Sequence, residues 1–232
     1  MSGRSPRWFT GIKYPYEDNF ADNTWAQIIA ACQKKHIPST WKVADQKAMT
    51  IGGTDYLIDI IGFEHDDYAD GSGKAPITFQ MHDCYGTKYA MNAKNTNVGG
   101  WSSSDMRNTH LPAILALMPA EVQAAVRTVN KKSNTGEHST TIETTACKLF
   151  LLAETEVFAE RTGSAVGEGT CYRYYATGGD TIKKVNGTAS YWFERGSYIV
   201  SGTSGFCAVS NKGATSFYGA STAQGVSFAF CF

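Results

Sequence analysis

The sequence predicts an α+β fold: small twisted antiparallel sheets, two or more helices and long loops. Three patterns carry this. Apolar residues recur at helical spacing from Trp25 to Cys32. They alternate at strand spacing from Tyr56 to Ile61. Towards the C-terminus they return in short runs bounded by glycine. A length of 232 residues suits one large domain. We place that domain at 22–232, preceded by an extended arm at 1–21 carrying Trp8, Phe9, Tyr14, Tyr16 and Phe20.

The elements follow in order. Asp22 or Asn23 is placed to cap the first helix, whose apolar face is Trp25, Ile28, Ile29 and Cys32, and Pro38 ends it. Lys47–Ile51 and Asp55–Phe63 flank Gly52-Gly53 and read as a hairpin. Asp66–Gly73 is a polar loop, and Pro76–His82 a further strand. Asn92–Ser104 is a long polar stretch around Gly99-Gly100-Trp101, in which Trp101 reads as a core anchor. Ser104 caps a helical region divided by Pro112 and Pro119, and Arg107 is expected to pair with a buried acid. Val122, Val126 and Val129 share a face of the second helix. Lys131–Thr145 reads as an exposed Ser/Thr-rich loop, Leu149–Leu152 as a buried strand, and Tyr172–Tyr175 as a short strand or aromatic turn. Tyr191–Phe193, Phe206–Ser210, Ser216–Tyr218 and Val226–Phe232 are strands, the last expected to be central and buried.

Lys+Arg and Asp+Glu number 21 each, so no net field is available to grip a nucleic-acid backbone. No apolar run is long enough for membrane insertion, and the first residues lack the apolar stretch of a secretory signal. Six cysteines without a CxxC pair are expected as mostly buried free thiols, with Cys207 and Cys231 the pair to test first for a disulfide. Asp66, Asp67 and Asp70, beside His65, are the densest set of hard oxygen ligands. They read as a turn capped by carboxylates, as a Ca²⁺ loop, or, for His65 with Asp66, as a catalytic pair. The chain carries no Gly-x-Ser-x-Gly, His-Glu-x-x-His or phosphate-loop motif. Between Glu194 and Gly225, 17 of 32 residues are Gly, Ser, Thr or Tyr, a composition like that of antibody binding loops. Ordinary turns between short strands would have the same composition.

Three blocks resemble a domain-of-unknown-function family of gut bacteria and their prophages. The first is Asp59-Ile-Ile-Gly-Phe-Glu-His-Asp-Asp67 with Ile77–Met81. The second is Met91-Asn92, Asn95–Trp101, Ser104–Arg107 and Leu117–Pro119. The third is Lys148–Leu152, Glu156-Val157, Tyr191-Trp192, Phe206–Val209, Gly225-Val226 and Ala229-Phe230. The resemblance runs from about Trp25 to the C-terminus. Its last part is similar to C-type-lectin-like domains, including formylglycine-generating enzymes and the variable receptor-binding proteins of phage diversity-generating retroelements. The chain departs from that pattern at Trp192-Phe-Glu-Arg195-Gly196, at Gly225-Val-Ser-Phe-Ala-Phe230 and at Cys147.

The resemblance implies a C-type-lectin-like fold and a non-enzymatic binding role, that of a phage or prophage tail or fibre-tip protein. Its expected partners are a bacterial surface glycan or protein, other virion proteins and further copies of itself. It would be made in the host cytoplasm and carried in the virion; bacterial cytoplasm or cell surface is the alternative. The expected ligand-binding residues are Arg195, Tyr198, Ser201, Thr203, Asn211, Lys212, Phe217 and Tyr218, and no cofactor other than Ca²⁺ is expected. The alternatives are a bacterial carbohydrate-binding or adhesin-like module and, in a different class, a formylglycine-generating-like oxidase using Cys207 and Cys231.

Overall fold

The computed structural model describes residues 16–232. The expected arm lies outside them up to residue 15, whereas Tyr16 and Phe20 are buried against Trp41. Helix α1 spans Trp25–Gln33. Its cap is Thr24, one residue beyond the expected Asn23: the hydroxyl accepts from Gln27 N at 3.2 Å, and the Gln27 side chain accepts from Thr24 N at 2.7 Å. Asn23 is buried instead, donating to Glu17 O and Asn19 O. The helix stops before Pro38, where Lys35 turns left-handed and Lys35 N and His36 N close on Cys32 O and Ala31 O.

Strands β1 (Gln46–Ile51) and β2 (Thr54–Phe63) form the expected hairpin. Gly52 and Gly53 have φ of +59° and +84°, the left-handed pair that a two-residue turn of this hand requires. Strand β3 (Ile77–Met81) pairs with β2, and the chain's last strand, Ala229–Cys231, pairs with β3. Phe79 joins Phe20, Trp25, Phe230 and Phe232 in one aromatic core with ring centroids 5.4–6.2 Å apart. Val226–Phe232 is buried throughout, but the expected central position is not borne out: its regular part, Ala229–Cys231, is the edge strand of this sheet, and its outer side meets isolated bridges from Arg127 and Phe150.

Four short α-helical segments and a π-turn lie between the sheets: α2 (Gly100–Ser103), the π-turn over Met106–His110, α3 (Leu111–Leu115), α4 (Ala120–Ala125) and α5 (Glu154–Val157). Trp101 is buried as expected. Arg107 finds no acid; it donates to the carbonyls of Ser102 and Ala146 and to Asn108 Oδ1. Val129 leaves the helical face and opens β4 (Val129–Asn134), which pairs with β5 (Ile142–Cys147). The stretch expected as an exposed loop is thus a hairpin whose Lys131, Ser133 and Asn134 are buried. Leu149–Leu152 is buried but joins the first sheet through a single bridge, Phe150 to Ala229. Tyr172–Tyr175 lies at helix α6 (Arg173–Ala176) rather than in a strand.

A small hairpin, β6 (Lys183–Val185) with β7 (Thr188–Ser190), precedes the second main sheet. That sheet contains β8 (Trp192–Ser197), β9 (Gly205–Val209) and β10 (Thr215–Gly219) in the order β10-β9-β8. Ala229–Cys231 is β11. The architecture is mixed α and β, with small antiparallel sheets and short helices. All six cysteines are free.

Candidate functional site

The C-terminal sheet presents the polar stretch singled out by composition. Residues 194–196 of β8 stand opposite Cys207 alone, because the register shifts between Phe193 and Ser197. Such a bulge re-aims side chains. Beyond it, Tyr198 N donates to Gly205 O and starts the loop to β9. Tyr198 stacks on Phe217, with centroids 4.1 Å apart and planes at 13°. Phe217 is 47% exposed and Val200 62% exposed. Ser201 and Thr203 are exposed in the loop that begins at Tyr198, and Asn211 and Lys212 are exposed in the turn between β9 and β10, at the other end of those strands.

Phe217 pairs with Cys207 and Tyr218 with Phe206, so these neighbours point to opposite faces of β10. Tyr218 therefore packs edge-on against Tyr191, with centroids 4.8 Å apart, and is separated from the expected aromatic set. The ring pair available to a ligand is Tyr198 with Phe217.

What holds these loops lies outside the stretch. Asn97 N donates to Thr203 O at 2.9 Å, its Nδ2 donates to Gly205 O at 2.8 Å, and its Oδ1 accepts from Glu137 N at 3.0 Å. Asn134 Nδ2 donates to Ser197 O at 2.7 Å, and its Oδ1 accepts from Gly136 N and Ser197 N. Both asparagines are fully buried. Gly136 has φ +84°, and a Cβ there would lie 2.0 Å from Asn97 O. Glu137 and His138 follow, also left-handed. His138 Nδ1 donates to Ile199 O at 2.7 Å, clamping the Tyr198 loop. The Glu154 carboxylate receives Thr162 N, Gly163 N and Ser164 N at 2.7–3.0 Å, fixing the turn beneath Tyr198. The sequence signal for this bracing was Asn-x-Gly punctuation, visible at Asn97-Val-Gly99 and Asn134-Thr-Gly136 but assigned to loops.

Arg195 is corrected from ligand contact to core brace. It is fully buried. Its guanidinium meets Glu156 at 2.5 and 2.9 Å and donates to the carbonyls of Lys132, Leu151 and Glu168. Lys131 extends this cluster, with Nζ 2.6 Å from Asp66, 2.7 Å from Glu156 and 3.0 Å from Tyr172 Oη. Burial alone would raise the Asp66 carboxyl; the Lys131 ammonium and its hydrogen bonds overcome this and hold it down to about 2. Burial likewise opposes ionisation of Glu156, which Arg195 and Lys131 keep below the ordinary carboxylate range.

The structure also separates the expected calcium ligands. Asp66 turns inward to Lys131, Asp67 pairs with Lys74 at 3.2 Å, and Asp70 pairs with Arg127. Each carboxylate has its own cation. Among the described residues, no group of three or more His, Cys, Asp or Glu side chains is placed to hold a metal ion.

Cys207 lies in β9 and Cys231 in β11, in different sheets. Burial pushes both thiols well above their ordinary range. Buried thiols of this kind are poor nucleophiles. Around Cys207 lie Glu154, Glu168 and Glu194. Burial raises Glu168 to about 7 and Glu194 well above the carboxylate range, and among the described residues neither Glu194 oxygen has a hydrogen-bond partner.

A family model described as Domain of unknown function (DUF6273) matches residues 77–232. That span takes in β3, the bracing asparagines and the whole C-terminal sheet. No curated protein and no solved structure matches the chain.

Proposed function

The chain belongs to the DUF6273 family, and from that premise we propose that it is a non-enzymatic, C-type-lectin-like receptor-binding protein. In this reading it is a phage or prophage tail or fibre-tip component that recognises a bacterial surface glycan. The observation that supports this most is the Tyr198–Phe217 stack, half out of the protein on a sheet whose loops are pinned from behind. The C–H face of a sugar packs on an exposed aromatic ring. Ser201 and Thr203 at one end of the β9–β10 pair, and Asn211 and Lys212 at the other, add exposed donors and acceptors. Among the described residues their side chains make no hydrogen bond or ion pair within the protein, so all are free for a ligand. One site of this size is weak, and several copies on a particle would supply avidity. The oxidase alternative asks for two reactive thiols, and the burial of Cys207 and Cys231 speaks for binding instead.

The test uses a panel of immobilised bacterial surface polysaccharides and intact gut bacterial cells. The wild-type protein should bind at least one member. Phe217→Ala should reduce that binding at least tenfold while Tm stays within a few degrees, because the ring is half exposed. Unchanged binding by Phe217→Ala, or no binding by the wild type across the panel, would refute the reading.

A further inference from the structure

A cleft of about 890 Å³ opens between the Trp41–Ala44 loop, the end of β2 and α6. It shares no lining residue with the Tyr198–Phe217 surface. We propose that it is a second binding site, and that it takes an acidic saccharide: a sugar carrying a carboxylate.

The lining sets the chemistry. Trp41, Phe63 and Tyr174 supply aromatic wall, and the charged side chains are Lys42 and Arg173, both cationic. No acidic side chain lines the cleft. The carboxylates nearby stand behind the lining: Asp45 accepts from Lys42 N at 2.7 Å, and the charges of Asp59 and Asp180 reach Tyr174. Arg173 is exposed, and among the described residues its guanidinium has no hydrogen bond or ion pair. A fork of free N–H donors at the mouth of an aromatic cleft is matched in geometry and charge by a carboxylate.

The rest of the cleft is built around open space. The Trp41 indole is fixed by its N–H, which donates to Glu17 O at 3.1 Å. Ala44 forms one lip with φ +74°, an uncommon conformation for a residue with a side chain, and is held there by Ala44 N to Ile60 O at 2.9 Å. Strained positions of this kind concentrate at binding sites. Opposite, nothing lies within 4 Å of where a Cβ on Gly178 would point. The amides of Gly178 and Gly179 are already bonded to Tyr175 O and Tyr174 O. No free backbone cradle is therefore left there for a phosphate, and the recognition falls to Arg173 and the rings, with Lys42, whose ammonium donates to Ser39 O, in support. A concave cleft with aromatic walls and a few polar groups is the usual form of a small-ligand site. The Trp41–Phe63 wall lies outside the family-matched residues, whereas Arg173–Gly179 lies inside them, so the site is shared between the two parts of the chain.

The experiment is titration calorimetry of the full chain with oligogalacturonate, sialyllactose, neutral oligogalactose and inorganic phosphate. At least one acidic saccharide should bind, with affinity falling as salt rises. Arg173→Gln should weaken that binding tenfold or more, and Lys42→Gln should weaken it to a lesser degree. Both residues are exposed, so unchanged melting curves check the fold. Phe217→Ala should leave this binding intact, which separates the site from the surface proposed above. The proposal is overturned if neither acidic saccharide binds, if the neutral sugar or phosphate binds as tightly, if Arg173→Gln binds like wild type, or if Phe217→Ala abolishes the interaction.

Discussion

Replacing Lys131 by Met tests the buried charge cluster directly. Lys131 and Arg195 balance Asp66 and Glu156, two cations against two carboxylates, all within 2.5–2.9 Å of a partner. Lys131 is 2% exposed. Its removal leaves one uncompensated negative charge in the interior and takes a donor from Tyr172 and two carboxylates. Glu156 keeps Arg195, while Asp66 keeps the hydroxyls of Thr78 and Tyr172 and the weak Cys231 thiol donor, none of them charged. Breaking a buried pair from one side costs about 3–5 kcal/mol. For a domain of this size that lowers Tm by roughly 6–20 °C. Urea unfolding at pH 7, with thermal melts, measures it. Adding Asp66→Asn to the Lys131→Met variant removes the stranded charge, so the double variant should be more stable than Lys131→Met alone. With Lys131 in place, millimolar calcium should leave the wild-type Tm unchanged. A Lys131→Met protein melting within about 2 °C of wild type, or a double variant that is no better, would show that this cluster is not what holds β4 to the core.

Two further outcomes follow from the geometry. Glu168 and Glu194 hold protons in the folded chain that the unfolded chain releases. Their contribution is full below the ordinary carboxylate range and is lost as pH rises, through about 7 for Glu168 and higher for Glu194. Urea unfolding at pH 5, 7 and 9 should show stability falling, by up to about 1.4 kcal/mol per pH unit for each proton released. Glu194→Gln should flatten that fall; an unchanged pH dependence refutes the assignment. Asp66 and Glu156, held low, act oppositely and lose their contribution only in acid. The second outcome concerns Gly136 and Gly53, which share φ +84°. A Cβ on Gly136 meets Asn97 O at 2.0 Å, and one on Gly53 meets nothing within 4 Å. Gly136→Ala should therefore cost clearly more stability than Gly53→Ala, and should speed amide hydrogen exchange at residues 197–205. Equal costs would mean that the left-handed backbone alone matters.

Local chemistry was legible wherever it alone decides structure. Gly52-Gly53 dictates a turn, and the Trp25–Cys32 spacing dictates a face; both are where the sequence places them. The misreadings fall where burial is polar. In β4, Val129, Lys131 and Ser133 point inward while Asn130 and Lys132 point out. That is a strand by burial, but hydropathy sees a polar loop, because the groups that make Lys131 a core residue lie 25 to 65 positions away. Arg195 and Asp66 mislead for the same reason. Tyr218 was separated from Phe217 by the period-two geometry of β10, which the apolar strand reading already contained. The Tyr198–Phe217 pairing depends on the bulge at 194–196, and no local pattern announces it.

The asparagine bracing divides labour between parts of the chain. The shape of the 198–205 loop is written at Asn97, Asn134 and Gly136, through bonds that reach mainly its backbone. In the proposed binding role, the ligand-facing character would rest on Ser201, Thr203, Asn211 and Lys212, which are exposed and whose side chains support none of that shape. Contour and chemistry are therefore inherited separately. If the surface binds as proposed, a substitution at Ser201 or Thr203 would change what it recognises without redrawing the loop, and one scaffold could be re-addressed to new ligands one side chain at a time.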